Sequence, residues 1–236
     1  MNNINYVVLD IETNSKKVFG RTANFMYNDI VAYSLKDHNS QLTYYVREPY
    51  DIEDMISIII KHDVLVAHNA AFECIYLWEY EQFQEWVKKG GKIYCTQAAE
   101  YVLSNYTTQW ASLRDLAVTK YGCLERVKYI DQLLFKRDKT LKELYNDVSD
   151  LPVDLVLEDV RNDVKDTEVI YLKQQELIKQ RGLQLQHTVD DKMNFILSTI
   201  EMEYNGAYVD KHTLIKNRNT LDNELGDLNI KIKEIV

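Results

Sequence analysis

Asp10 and Glu12 stand one residue apart at the end of an apolar run, Val7-Val8-Leu9-Asp10-Ile11-Glu12. A run of this kind reads as a buried strand. Side chains alternate along a strand, so both acids point to one face. Two carboxylates there repel each other and lose hydration. A hard divalent cation such as Mg²⁺ relieves both costs, because it takes carboxylate oxygens. The competing reading is a strand that ends at Leu9 and leaves both acids in water. A second acidic segment is His68-Asn69-Ala70-Ala71-Phe72-Glu73, where a short apolar strand passes into a helix. Open α/β sheets place ligands at the carboxyl ends of their strands. Helix capping by Asn69 and a dipole contact from Glu73 explain the same residues without chemistry. A third segment carries Asp159, Asp163 and Asp166. Their spacing of four and three puts all three on one helix face. That face is either solvated or a ligand surface.

These acids need elements to hold them. Tyr6–Glu12, Ile30–Leu35 and Leu42–Val46 are short, β-rich and separated by polar turns, which predicts a meander. Ile52, Met55, Ile56, Ile59 and Ile60 give Asp51–His62 a helical period. Val64–Ala67 and Lys92–Cys95 read as further strands. Ala70–Lys89 reads as one helix ended by Gly90-Gly91. Helices follow over Thr96–Leu103, Ala111–Lys120, Thr140–Asp147 and about Val153–Lys179. Gly182 is a natural stop for the last of these. A further helix runs from Thr188 to Tyr204. Asn205-Gly206 turns the chain into a final polar helix. A domain boundary is expected near residue 182.

Composition narrows the function. The chain has 236 residues, 46% of them hydrophobic, which is enough for one large core. Seven Gly and two Pro leave little room for long disordered loops. The formal charge of −9 argues against holding DNA on a broad basic surface, though not against a small metal-dependent site. Cys74, Cys95 and Cys123 are widely spaced and form no zinc pattern, so reduced thiols and a cytoplasmic setting are expected. No membrane span and no signal peptide are read.

Taken in order, the three acidic segments resemble the DEDD family of 3′–5′ exonucleases, as in the proofreading domain of family A DNA polymerases, over roughly residues 4–180. Asp10 and Glu12 match the family's Asp-x-Glu. Asn69 and Glu73 match its Asn-x-x-x-Asp, with Glu for Asp. Asp159 and Asp163 match its Tyr-x-x-x-Asp, with Asp for Tyr. Asn162-Asp163-Val164 and Thr167 also follow the family and select Asp163 over Asp166. Thr96 and Ala111–Ala117 look like the segments between the second and third motifs. The spelling HNAAFE is similar to bacteriophage members.

The resemblance implies a ribonuclease H-like mixed sheet flanked by helices over residues 1–182. Residues 183–236 would be the helical start of a family A polymerase region, because Ile200–Asp210 looks like its opening segment. It implies hydrolysis at the 3′ end of single-stranded DNA with two Mg²⁺ or Mn²⁺ ions. Asp10 would be the shared ligand, with Glu12 and Asp163 at one ion and Glu73 at the other. Asn69 and Phe72 would touch the terminal nucleotide, and His68 would be structural. The implied partner is a polymerase region or subunit, with no membrane, in the cytoplasm (the host's, if the protein is viral). This fragment should not polymerise. Asp159 in place of Tyr keeps a second reading open, a non-catalytic module that binds DNA or a polymerase. A third is a 3′–5′ exoribonuclease of the same fold.

Overall fold

The computed structural model describes residues 5–15, 25–108, 111–125, 133, 145 and 147–235. Five strands form one mixed sheet in the order β3-β2-β1-β4-β5. They are β1 (Tyr6–Thr13), β2 (Ile30–Lys36), β3 (Gln41–Tyr45), β4 (Val64–Ala67) and β5 (Lys92–Cys95). The first three pair antiparallel as a meander, and β4 and β5 add parallel to β1. Parallel neighbours need crossovers, and α1 (Tyr50–Ile59) lies in the one that leads into β4. The chain then runs through α2 (Ala70–Leu77), α3 (Glu81–Lys88), α4 (Thr96–Leu103) and the short α5 (Leu113–Asp115). A π-helical turn over Leu116–Lys120 continues α5. Three long helices follow, α6 (Val153–Arg181), α7 (Leu183–Asn205) and α8 (Lys211–Ile235).

The strands follow the pattern expected of them. The stretch expected as one helix over Ala70–Lys89 is instead two, because Trp78, Phe83 and Trp86 all enter the core. Phe83 is fully buried and its ring meets those of Trp78 and Trp86 at 6.2 and 5.5 Å. The chain bends at Tyr80, in extended conformation, to seat them. Gly90 ends α3 with φ of 104°, and a Cβ on Gly91 would lie 2.2 Å from the Trp86 ring. The helix expected to start at Thr188 begins at Leu183, directly after Gly182 at φ 96°. The helix expected over Thr140–Asp147 lies largely outside the described residues.

By spatial contacts the chain forms two compact units that meet after Tyr204 in sequence. The reason is α7. Its Val189, Met193, Ile196 and Ile200 belong to the same core cluster as the sheet. The Cys95 amide donates to Met193 Sδ at 3.1 Å. The second unit, Asn205–Val236, holds α8. Asp210, singled out within the polymerase-like segment, caps that helix by accepting from the His212 and Thr213 amides at 3.0 and 3.2 Å.

Candidate metal centre

Asp10 and Glu12 are carried by β1 on the face that also bears Tyr6. The Tyr6 hydroxyl donates to Glu168 on α6 at 3.0 Å, and its ring meets Tyr171 at 4.9 Å. That face therefore looks toward α6. Both acids are partly exposed, whereas Leu9 and Ile11 between and before them are buried. A bulge follows Glu12, where Glu12 pairs with Ala32 but Thr13 pairs with Ile30. Bulges re-aim side chains and occur often beside active sites. The end of β1 is tied down by Ser15, whose hydroxyl donates to Asp147 at 3.0 Å.

Two points set the path of α6 over β1. Lys36, opposite Val8, bonds Glu168 at 2.9 Å. Ala32, opposite Glu12, packs in one cluster with Val156 and Val160. The helix thus runs antiparallel to β1. From Val8 to Glu12 the strand advances about 13 Å, and from Glu168 to Val160 the helix advances about 12 Å. Asp163 falls between those two levels, alongside Asp10 and Glu12. It is buried, at 7% exposure, while Asp159 and Asp166 are only partly covered. The shared acidic face expected from spacing is therefore split, and Asp163 is the member turned into the protein. Thr167, one turn on, is fully buried and its hydroxyl oxygen has no hydrogen-bond partner.

The capping explanation of the second segment does not hold. Asn69 sits at the N-cap of α2 in left-handed conformation (φ 66°, ψ 48°) and makes no side-chain cap bond. Asn tolerates that region, and here it turns the chain from β4 into α2 with its side chain exposed. Glu73 is no solvated dipole partner either. It is 4% exposed, and its Oε2 has no hydrogen-bond partner. Burial pushes its carboxyl well above the usual carboxylate range. Its own backbone N–H pulls in the opposite direction, and the negative charge of Glu12 pushes it higher again. Glu73 and Glu12 are thus close enough to feel each other. Among the described residues, no three His, Cys, Asp or Glu side chains stand together as a formed metal site. What they present is a buried carboxyl beside Glu12, with Asp163 carried over β1 by α6.

His68 is buried and hydrogen-bonded through both ring nitrogens. Its Nε2 donates to the Ala111 carbonyl at 3.0 Å and its Nδ1 pairs with Thr96 Oγ1 at 2.8 Å. It ties the end of β4 to α4 and to the segment before α5. Phe72 is partly buried and lines a cavity together with Asn69.

No family profile and no curated protein matches the chain. Among solved structures it is similar to NrnC of Brucella melitensis, with a TM-score of 0.57 and 11% identity, covering 89% of this chain and 91% of that one. Two further structures of that protein, with bound Mg²⁺ and bound to pGG, match at TM-scores of 0.54 and 0.56. The family B DNA polymerase of the archaeon Pyrobaculum calidifontis matches at a TM-score of 0.50 and 14% identity. That match covers 72% of this chain and 24% of the polymerase. At these identities the likeness is one of fold, and the fold is ribonuclease H-like. The polymerase named is of family B, so the family A expectation rests on the motifs alone.

Proposed function

We propose that this ribonuclease H-like chain is a divalent-metal-dependent 3′–5′ exonuclease acting on single-stranded DNA, in the setting of polymerase proofreading. The observation that carries the reading is Glu73. A carboxyl with an unpartnered buried oxygen, set beside a second carboxyl, is costly in the protein alone. A cation resolves that cost, and oxygen donors of this kind suit Mg²⁺ or Mn²⁺. One neighbour of the same fold is known with Mg²⁺ and with pGG, which fits the reading.

Asp10, Glu12, Glu73 and Asp163 would hold two ions, which supply Lewis acidity to the scissile phosphodiester. The protein's part is to bring the acids together from β1, α2 and α6. Glu73 must lose its proton to ligate, so loading should strengthen as pH rises. Asn69 and Phe72, at the mouth of the α2 turn, would contact the terminal nucleotide. Asp159 stands where the resembled family places Tyr. A phenol there donates a hydrogen bond to the attacking water while staying neutral near pH 7. A carboxylate accepts but adds charge facing a phosphate, so the rate should be low. A cytoplasmic place, with a polymerase region or subunit as partner, belongs to the same reading.

The test is hydrolysis of end-labelled DNA and RNA oligonucleotides of one sequence, with Mg²⁺, Mn²⁺ or EDTA. The proposal predicts metal-dependent release of nucleotides, faster from DNA. Faster release from RNA would move the chain to the exoribonucleases. Binding without release in either metal would make it a non-catalytic module.

A further inference from the structure

A cavity of about 570 Å³ opens beside Asn69 and Phe72, walled by α2, α4 and α7. Its size lies within the roughly 300–1,000 Å³ of clefts that enclose small organic ligands. Phe72, Ile75, Tyr76, Tyr101, Phe195 and Ile196 make it mainly apolar and aromatic. Phe195 keeps 62% of its surface exposed, which is unusual for a ring lining a cavity. Lys192, one helical turn earlier on α7, holds its ammonium 4.9 Å from the Phe195 ring centre and 5.9 Å from that of Tyr101. Tyr101 in turn meets the exposed Tyr106 ring at 5.0 Å. Tyr106 and Asn105 both hold left-handed backbone, at φ 64° and 54°. Such conformations cost energy and cluster at ligand sites. Glu203, the acid of the lining, lies eleven residues beyond Lys192, about 16 Å along α7.

We infer that α7 completes a single-strand subsite, in which an unpaired base of the substrate stacks on Phe195 and Tyr101 while its phosphate pairs with Lys192. The inference rests on the exonuclease reading for its occupant. Three features on one rim select that occupant. The exposed Phe195 ring and the half-buried Tyr101 ring offer stacking that every base accepts. Lys192 lies over both rings, and its long side chain can yield that face to a base and pair with the phosphate that follows it. The cavity also shares Phe72 and Asn69 with the turn that carries Glu73, so a strand lying in it passes beside that turn. In an acidic chain, a local cation of this kind does what a broad basic surface would otherwise do.

The test uses the full chain in EDTA, with fluorescein-labelled thymidine and uridine octamers followed by anisotropy. Phe195→Ala should weaken binding of both octamers about 5- to 100-fold, and Phe195→Tyr should restore it. Lys192→Ala should lower the salt slope, log K against log [salt], by about 0.7, and Lys192→Arg should restore it. Circular dichroism confirms that each variant is folded. Wild-type affinity and salt slope in both alanine variants would overturn the subsite. If wild type also cleaves DNA with Mg²⁺ in that case, the exonuclease reading stands without the subsite. If wild type binds but never cleaves, and the variants lose binding, the subsite stands and the catalytic reading falls. A wild type that neither binds nor cleaves removes both.

Discussion

Glu73 is the residue at which folding and chemistry conflict most. Its folded-state pKa is raised above its usual 4.5, burial being the main cause. Below that usual value it is protonated in both folded and unfolded chains, and its contribution to stability is complete. As pH rises, the unfolded chain ionises first, so stability is lost progressively through the folded pKa. Glu73→Gln cannot ionise and should remove this slope. Urea unfolding in EDTA at pH 5 and pH 8 checks it. Wild type should lose stability relative to the variant at pH 8, and Mg²⁺ should recover it in wild type alone. Equal slopes in both proteins would place the Glu73 carboxyl in water. Asp159→Tyr should raise the rate at saturating Mn²⁺ by roughly tenfold or more, within the range of general acid–base effects. A rate that falls instead would make Asp159 a working catalytic group.

Among elements, α6 buries Asp163 and leaves Asp159 and Asp166 partly exposed, which makes Asp163 the proposed ligand. Asp163→Ala should abolish metal-dependent cleavage, and Asp166→Ala, at a partly exposed position on the same helix, should be mild. The reverse ranking, read from initial rates, would show that the helix has been assigned in the wrong register. His68 gives a contrasting case. Its replacement by Ala removes the bonds to Thr96 Oγ1 and the Ala111 carbonyl, which keep the Ala67 carbonyl and Gln97 Nε2 as partners, at about 0.5–1.5 kcal/mol for each bond lost. His68→Ala should therefore lower the melting temperature by several degrees without changing the metal affinity of the folded protein. The sheet was legible because its strands are short, apolar and bounded by polar turns. Glu73 and Asp163 were nameable from motif order, but their burial was not, since first-turn acids and acidic helix faces are usually solvated. The break at Tyr80 was hidden because no Gly or Pro marks it. The bulge after Glu12 and the left-handed Asn69 arise from pairing and chain reversal, which single-sequence spacing does not encode. The subsite on α7 was missed for a related reason: Lys192 and Phe195 look like ordinary surface residues until α4 is packed beside them.

For the whole molecule, the division after Tyr204 has a direct consequence. α7 buries Val189 and Ile200 completely in the core that supports the sheet. A fragment of residues 1–204 should fold cooperatively. One of residues 1–182 should not, because it exposes the surface that Val189, Met193, Ile196 and Ile200 cover. Thermal unfolding followed by circular dichroism separates the two, and a stable 1–182 fragment would return the boundary to Gly182. The charge of −9 is consistent with a chain that meets nucleic acid through a cation-filled cleft and a few aromatic contacts. In the proposed function, β1, α2 and α6 bring their acids to shared cations. Crystals grown with Mn²⁺ and measured for anomalous scattering test it most directly. Peaks are expected between β1 and α6, about 2.0–2.2 Å from carboxylate oxygens of Asp10, Glu12 and Asp163, with Glu73 turned toward them. A map with no peak there at saturating Mn²⁺, and Glu73 still facing only protein, would contradict it.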